Sequence, residues 1–330
     1  MLTVSVILVT RNEENYILDC VKSIEKQFSN NDKWELIVVD GLSDDRTVEI
    51  IKEHLEFATY QYEILNNPKK ILSSGWNIGI KNAHGKYVIR PDAHSSLHPN
   101  YIKYGINLLK EKLDVVAVGG ILKTKSKGFM GNIIKEALSL KVGVGNSSFR
   151  TAKKSGYYDT AVFAVYRKEI FNEAGYFNES LVRHQDNEMH GRIHTLGGRF
   201  YLCNKMIANY YCRDSFMKLF IQMFNIGRYL PYVMKLRTLG LRHYAPFAFL
   251  SLIIFLVSLS FFYSKILIFL KIIMLFYFFI VTSSVVFRVM KKGELYILFN
   301  ILVIPLIHLS YGVGTLAGFL QMFGKAVTRN

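Results

Sequence analysis

From Pro246 to about Leu320 the chain is almost continuously apolar, and this stretch limits what the whole molecule can be. Three hydrophobic segments stand out, Pro246 to Tyr263, Ile266 to Phe287 and Leu295 to about Leu320. Each is near or above the roughly 20 residues that cross a bilayer as a helix. Only Ser264 and Lys265 separate the first two, which predicts a tight hairpin. The third carries Pro305, Gly312, Gly314 and Gly318 and is expected to bend, break or re-enter. Lys235, Arg237, Arg242 and His243 flank the first segment, while Arg288, Lys291 and Lys292 lie between the second and third. Positive flanks stay on the cytoplasmic side, so a multi-pass cell-membrane protein with its N-terminal part in the cytoplasm is expected. Lys271, inside the second segment, is expected to face a partner helix or the lipid headgroups.

The first 240 residues have a different pattern. Val4 to Val9 is a β-branched and aliphatic run without polar alternation, as in a parallel strand covered on both faces. No basic region precedes it, so the start predicts a first strand and not a signal peptide. Ile17, Val21, Ile24 and Phe28 fall at helical spacing, and Glu35 to Val39 predicts a second strand. Ser43 or Asp45 caps a helix running to about Leu55. Tyr62 to Leu65 predicts a third strand, Ser73 to Ala83 a helix stopped by Gly85, and Tyr87 to Ile89 a short strand. This β-α-β-α order predicts an α/β class with a Rossmann-like, mostly parallel open sheet.

Further on, a helix is expected over Asn100 to Lys112 and a strand over Val115 to Gly120. Phe129 to Arg150 is expected to be mixed, with Gly143, Gly145 and Asn146 in a mobile loop. Strands follow at Phe163 to Tyr166, Phe200 to Cys203 and Ile207 to Tyr211, then a basic amphipathic helix on the membrane from Phe216 to Val233. The expected divisions are 1–215, 216–244 and 245–330.

Formal net charge is +16, from 41 Lys and Arg against 25 Asp and Glu. The basic residues are scattered and gather at the membrane flanks instead of alternating with aromatics on one face. That argues against nucleic acid and for membrane lipid and a phosphorylated substrate. Cys20, Cys203 and Cys212 have neither paired nor zinc spacing, which implies a reduced setting.

Ligands of open parallel sheets lie outside the carboxyl ends of the strands, where the polar clusters Thr10 to Glu13 and Asp40 to Asp45 fall. A carboxylate there accepts hydrogen bonds from a base edge or ribose, and Arg11 neutralises phosphate. After the short strand, Asp92 and His94 sit two residues apart, so in extended geometry both project from one edge. A hard carboxylate and an imidazole with open positions suit Mg²⁺ or Mn²⁺ bridged to phosphate oxygens. Each cluster alone is also ordinary turn and cap chemistry.

Four motifs occur together: Thr10-Arg-Asn-Glu-Glu14, Val39-Asp-Gly-x-Ser-x-Asp-x-Thr47, Asn77-x-Gly-x-x-x-Ala-x-Gly85 and Arg90-x-Asp92-Ala-His94. In order and spacing they resemble the catalytic domain of family 2 glycosyltransferases, the GT-A fold. With the C-terminal membrane segments, roughly residues 3 to 320 look most like the succinoglycan-type exopolysaccharide glucosyltransferases. The resemblance implies a UDP-sugar held by Thr10, Arg11, Asn12, Glu13, Asp40, Ser43, Asn77, Arg90, Asp92 and Arg228, with the divalent cation on Asp92 and His94. Relatives carry Glu-Asp-x-Glu where this chain has Gln185-Asp186-Asn187-Glu188, which implies Asp186 as the base and Glu188 as second choice.

Gln222 and Arg228 are six apart with no Trp after them, unlike the Gln-x-x-Arg-Trp of processive synthases, so single addition is implied. The implied reaction is inverting transfer of a sugar, glucose by the resemblance, from a UDP-sugar to a polyprenyl-diphosphate-linked saccharide. Transfer to polyprenyl phosphate itself, or a non-catalytic membrane scaffold, are the alternatives.

Overall fold

The structure, a computed structural model, describes residues 3–145, 154–234 and 239–327. Nine strands lie among those residues: β1 Val4–Thr10, β2 Trp34–Asp40, β3 Gln61–Asn66, β4 Tyr87–Ile89, β5 Ser95–Leu97, β6 Val115–Lys125, β7 Gly156–Tyr158, β8 Val165–Arg167 and β9 Arg199–Tyr211. They form one sheet in the order β3-β2-β1-β4-β8-β6-β9-β5, with β7 pairing β9. β1, β2, β3 and β4 run parallel, whereas β8 joins β4 antiparallel and turns the rest of the sheet mixed.

The aliphatic run of β1 explains its central place. Val4, Val6 and Leu8 pack into one buried cluster with Leu36, Val38 and Ile89, while Ile7 packs into another with Ile37 and Val88. A strand with no polar face needs cover on both sides, and two layers of helices supply it. Gly85 is explained by proximity: a Cβ there would lie 2.6 Å from Ser5 N and Val4 C, so only glycine lets the lead-in to β4 approach β1. The preceding helix, Leu72–Asn82, has already ended, so Gly85 is not its stop.

β9 is a single strand of 13 residues where two short ones are expected. Asn204 and Lys205 interrupt the apolar pattern as exposed positions within the strand, and Asn204 is held there by Ser155, whose Oγ donates to Asn204 Oδ1 at 2.9 Å and accepts from Asn204 N at 3.0 Å. All three cysteines are buried thiols outside any disulfide.

The chain divides into two units, Met1–Lys123 with Ser147–Tyr211, and Thr124–Asn146 with Cys212–Asn330. The segment that follows β6 therefore belongs with the C-terminal part and not with the sheet around it in sequence. Of the segment expected to be mixed with a loop, Gly128–Ser139 and Lys141–Val144 are helices, so Gly143 is helical and Gly145 follows the second helix, while Asn146 lies outside the described residues. Ile133, Ile134, Ala137 and Leu138 supply the reason: they are buried with Leu219, Met223, Val281 and Ile304. Glu136, buried on the same helix, accepts from Arg288 Nε at 2.8 Å and from Lys292 Nζ at 2.5 Å.

In this second unit, helix Phe216–Tyr229 buries Leu219, Met223 and Gly227, and leaves Met217 and Ile221 exposed. Its buried face meets the last helix, Asn300–Val327, through glycines. A Cβ on Gly227 would lie 2.1 Å from Tyr311 O, and one on Gly314 2.1 Å from Phe224 O. Gly312, Gly314 and Gly318 thus mark close helix approach and not a break, and the helix continues through Pro305. Among the described residues two helices are long and apolar enough to cross a membrane by length and composition, Ile266–Lys292 and Leu295–Gly324. Ala245–Ser260 is apolar but only 16 residues long. Lys271 is exposed on its helix.

Candidate active site

β1 and β2 end side by side, Thr10 opposite Asp40, and the polar loops that follow them interlock. The Asp40 carboxylate accepts from Ser43 N at 2.9 Å and from Ser43 Oγ at 2.5 Å. Ser43 Oγ in turn accepts from Asn12 N at 3.0 Å, and Glu13 N donates to Thr47 Oγ1 at 2.7 Å. Glu14 N donates to Asp45 Oδ2, and Arg46 N to Glu14 Oε2. Asn12 and Leu42 hold φ of 57° and 56°, left-handed conformations that cost of order 1 kcal/mol each in non-glycine residues. The two motifs therefore act first on each other. Buried Thr10 Oγ1 has no hydrogen-bond partner among the described residues, and Arg11 is exposed.

Asp92 arrives at the same edge, since its backbone bridges to Val9 of β1. It is half-buried, and desolvation pushes its carboxyl above the usual range. His94 opposes that shift, Asp186 adds to it, Arg90 opposes and Glu13 adds. His94 Nδ1 lies 3.0 Å from Glu13 Oε1.

No group of three or more His, Cys, Asp or Glu among the described residues is arranged to hold a metal ion. The donors present still fit a Mg²⁺- or Mn²⁺-type cation, which takes one or two carboxylates and completes its shell with substrate phosphate and water. Asp92, raised by burial and faced by two further carboxylates, is where a cation would relieve excess negative charge. With Nδ1 beside Glu13, His94 could meet a metal only through Nε2.

Asp186 opens helix Gln185–Thr195, after His184 in the left-handed region at φ 62°. Its Oδ1 accepts from Arg90 Nη2 at 2.9 Å, which joins the end of β4 to this helix. Through that contact and its electrostatic coupling to Asp92, Asp186 belongs with Asp92, His94 and Glu13, beside the edge that carries Thr10 and Asp40.

Other expected site residues are engaged elsewhere. Asn77, buried, donates from Nδ2 to Phe177 O and Glu179 Oε1 and accepts from Phe177 N, so its amide clips the 177–179 turn. Glu188 accepts two bonds from Arg192 at 2.8 Å, and Arg192 also donates to the carbonyls of Ala174 and Tyr176. Arg228 lies in the second unit, where its Nε donates to Gln321 Oε1 at 3.0 Å. The residues that sequence reasoning missed are Trp76, Tyr166 and His190, which surround or extend Arg90. Trp76 and Tyr166 are single aromatic positions in sequence, and His190, though in the segment of Asp186, has no spacing of its own that marks it.

The family model described as "Glycosyl transferase family 2" matches residues 5–175, more than half of the chain. The chain belongs to glycosyltransferase family 2. Over 257 residues this glycosyltransferase is 28% identical to a dolichyl N-acetyl-alpha-D-glucosaminyl phosphate 3-beta-D-2,3-diacetamido-2,3-dideoxy-beta-D-glucuronosyltransferase of Methanococcus voltae, covering 76% of this chain and 80% of that one. It is 29% identical over 197 residues to the succinoglycan biosynthesis protein ExoA of Rhizobium meliloti, covering 58% of each.

Among solved structures, the Staphylococcus aureus TarS 1–349 complex with UDP-GlcNAc has a TM-score of 0.50 at 17% identity, covering 68% of this chain and 66% of that one. GalNAc-T7 with UDP, GalNAc and Mn²⁺ has a TM-score of 0.53 at 14% identity, covering 70% and 48%. At such identities the likeness is one of fold, and the fold is GT-A.

Proposed function

We propose that this family 2 glycosyltransferase moves a hexosyl group, glucose in the first instance, from a UDP-sugar to a polyprenyl-diphosphate-linked saccharide with inversion. The observation that carries the reading is the Asp186 carboxylate, fixed by Arg90 within electrostatic reach of Asp92, beside the edge where Thr10 and Asp40 end β1 and β2.

The acceptor hydroxyl oxygen attacks the anomeric carbon while Asp186 takes its proton. The bond from that carbon to the diphosphate oxygen breaks on the opposite face, and UDP leaves. Asp40, Thr10 and the interlocked 10–14 and 40–47 loops hold the nucleoside, and exposed Arg11 meets the diphosphate. A divalent cation at Asp92 and His94, when bound, supplies charge neutralisation on the leaving group. The rest is orientation, for which a rigid sheet edge is suited.

A lipid-linked saccharide acceptor is supported by the archaeal relative, whose name gives a dolichyl N-acetylglucosaminyl phosphate as what it acts on. It is supported too by two helices of membrane-spanning length. On this reading the protein is a multi-pass membrane enzyme with its catalytic unit in the cytoplasm, because the basic flanks of the apolar segments favour that side.

The test uses the full chain in detergent with UDP-glucose, UDP-galactose or UDP-N-acetylglucosamine. Each donor is combined with polyprenyl phosphate, a polyprenyl-monophosphate-linked N-acetylglucosamine or the diphosphate-linked equivalent, and both UDP release and anomeric configuration are read. One preferred donor, dependence on the diphosphate-linked saccharide, inversion, and loss of turnover with a chelator reversed by Mn²⁺ are expected. Use of bare polyprenyl phosphate alone would favour the lipid-phosphate reading. Retention, or no acceptor-dependent release, would overturn the proposal.

A further inference from the structure

We propose that Arg90 is a positioning residue for Asp186, held by an aromatic cage and by a hydrogen-bonded line through Tyr166 and His190 to Thr160, and that it is not a nucleotide ligand. The inference rests on the reading of Asp186 as the base.

The Arg90 guanidinium is 4% exposed and lies 3.9 Å from the Trp76 ring centroid, 4.4 Å from Phe177 and 5.2 Å from Tyr166. Its hydrogen bonds leave from one atom: Nη2 donates to Asp186 Oδ1 at 2.9 Å and to Tyr166 Oη at 3.0 Å. Nε and Nη1 are buried without a partner among the described residues. Dry N–H groups are unfavourable, and ring faces are what can offset a desolvated cation. With its other nitrogens shut against carbon, the guanidinium directs its hydrogen bonds to one carboxylate and one hydroxyl.

The hydroxyl is itself fixed. Arginine only donates, so Tyr166 Oη accepts from it and can pass its own proton to His190 Nε2, 2.8 Å away. The neutral imidazole then carries its proton on Nδ1 and donates to Thr160 Oγ1 at 2.8 Å. Burial, which pushes the His190 pKa down to about 3, keeps the ring in that neutral form. Each hydrogen bond along the line from Thr160 to Asp186 thus has one donor and one acceptor. Swinging Arg90 towards a diphosphate would break the line and uncage the cation. Asp186, 39% exposed in its side chain, presents its outer face while its inner oxygen is tied down.

The test compares wild type, Arg90→Gln, Arg90→Lys, Tyr166→Phe, Asp186→Asn and the double variant Arg90→Gln/Asp186→Asn. It uses the most active donor and acceptor of the panel above, with UDP affinity measured by calorimetry. Arg90→Gln is expected to lower kcat about 100-fold while donor KM and UDP affinity stay within about threefold, and Arg90→Lys to restore part of the loss. The double variant should be no slower than Asp186→Asn within about threefold, since both act on one group.

UDP binding weakened by about tenfold or more in folded Arg90→Gln would make Arg90 a nucleotide ligand and overturn the inference, as would multiplicative losses in the double variant. If Arg90→Gln does not fold, Tyr166→Phe decides: a kcat drop of about fivefold or more supports the line, and an unchanged kcat overturns it. Full transfer by Asp186→Asn would instead remove the reading of Asp186 as base, a separate failure.

Discussion

Asn12 and Asp44, 32 positions apart, exchange two hydrogen bonds: Asn12 Nδ2 donates to Asp44 Oδ1 at 2.7 Å, and Asp44 N donates to Asn12 Oδ1 at 3.0 Å. The pair ties the loop after β1 to the loop after β2, so both are set before a nucleotide arrives. Preorganisation of this kind lowers the ordering cost of binding.

Replacing Asn12 by Ala removes both bonds and leaves a Cβ residue at φ 57° without its local partner. With each bond worth roughly 0.5–1.5 kcal/mol net, UDP affinity should fall about tenfold. Asn12→Gly loses the same bonds but relieves the strained φ, and should be the more stable of the two by about 1 kcal/mol. Calorimetry with UDP and thermal unfolding separate the two effects. Equal affinity in wild type and Asn12→Ala would show that the interlock does not prepare the site.

Asp186 and Glu188 are two residues apart on one helix, yet their partners give them different work. Asp186→Asn should cut transfer by about 10²- to 10⁴-fold with little change in UDP affinity. Glu188→Gln removes the carboxylate that Arg192 grips with two bonds, and should lower the unfolding temperature while reducing turnover far less than Asp186→Asn. Steady-state kinetics beside thermal unfolding distinguish them, and the reverse ranking of turnover would exchange their roles.

His190 gives the first unit a pH dependence of definite sign. Burial pushes its pKa down from the ordinary 6.5 to about 3. Between pH 6.5 and 3 the unfolded chain takes up a proton that the fold excludes, so stability is present in full above this window and falls with pH inside it. For one group the slope approaches about 1.4 kcal/mol per pH unit. Trp34 and Trp76 both lie in this unit, so tryptophan fluorescence reports its unfolding directly. His190→Gln should be less stable at pH 7.5 but have a shallower decline below pH 6.5 (about one unfolded-state pKa). An identical slope in wild type and variant would remove His190 from the acid response.

Gly227 and Gly314 bring helix Phe216–Tyr229 into close contact with the last helix. A methyl group on Gly227 would meet a carbonyl oxygen at 2.1 Å, and backbone cannot yield as a side chain does. Gly227→Ala should therefore destabilise the second unit by about 1–3 kcal/mol, whereas Gly324→Ala, with open space around it, should be near neutral. Thermal aggregation of the two variants in detergent checks this, and equal midpoints would mean that the helices part at no cost.

Residues that carry their own evidence in local spacing were legible before folding. The run Val4 to Val9, aliphatic but for Ser5, determines a strand buried on both faces, because neither side of it is polar enough to face water. Asp40 and Asp92 follow strands, and the carboxyl-end rule places them at one edge, as found. The long apolar C-terminal segments likewise determine helices of spanning length, since bilayer thickness sets the count.

What the tertiary structure alone decided is which polar group satisfies which. Arg90 and Asp186 are 96 positions apart and meet only because β4 and the Gln185–Thr195 helix converge. Asn77 and Glu188 carry family-like motif positions, yet their hydrogen bonds go to Phe177, Glu179 and Arg192. Ile133 and Ile134 follow β6 closely in sequence, but they are buried with the C-terminal helices. Periodicity reports how a segment divides its own faces between water and core, over one or two turns. Partnering depends on distances between segments remote in sequence, and those exist only once the chain has packed.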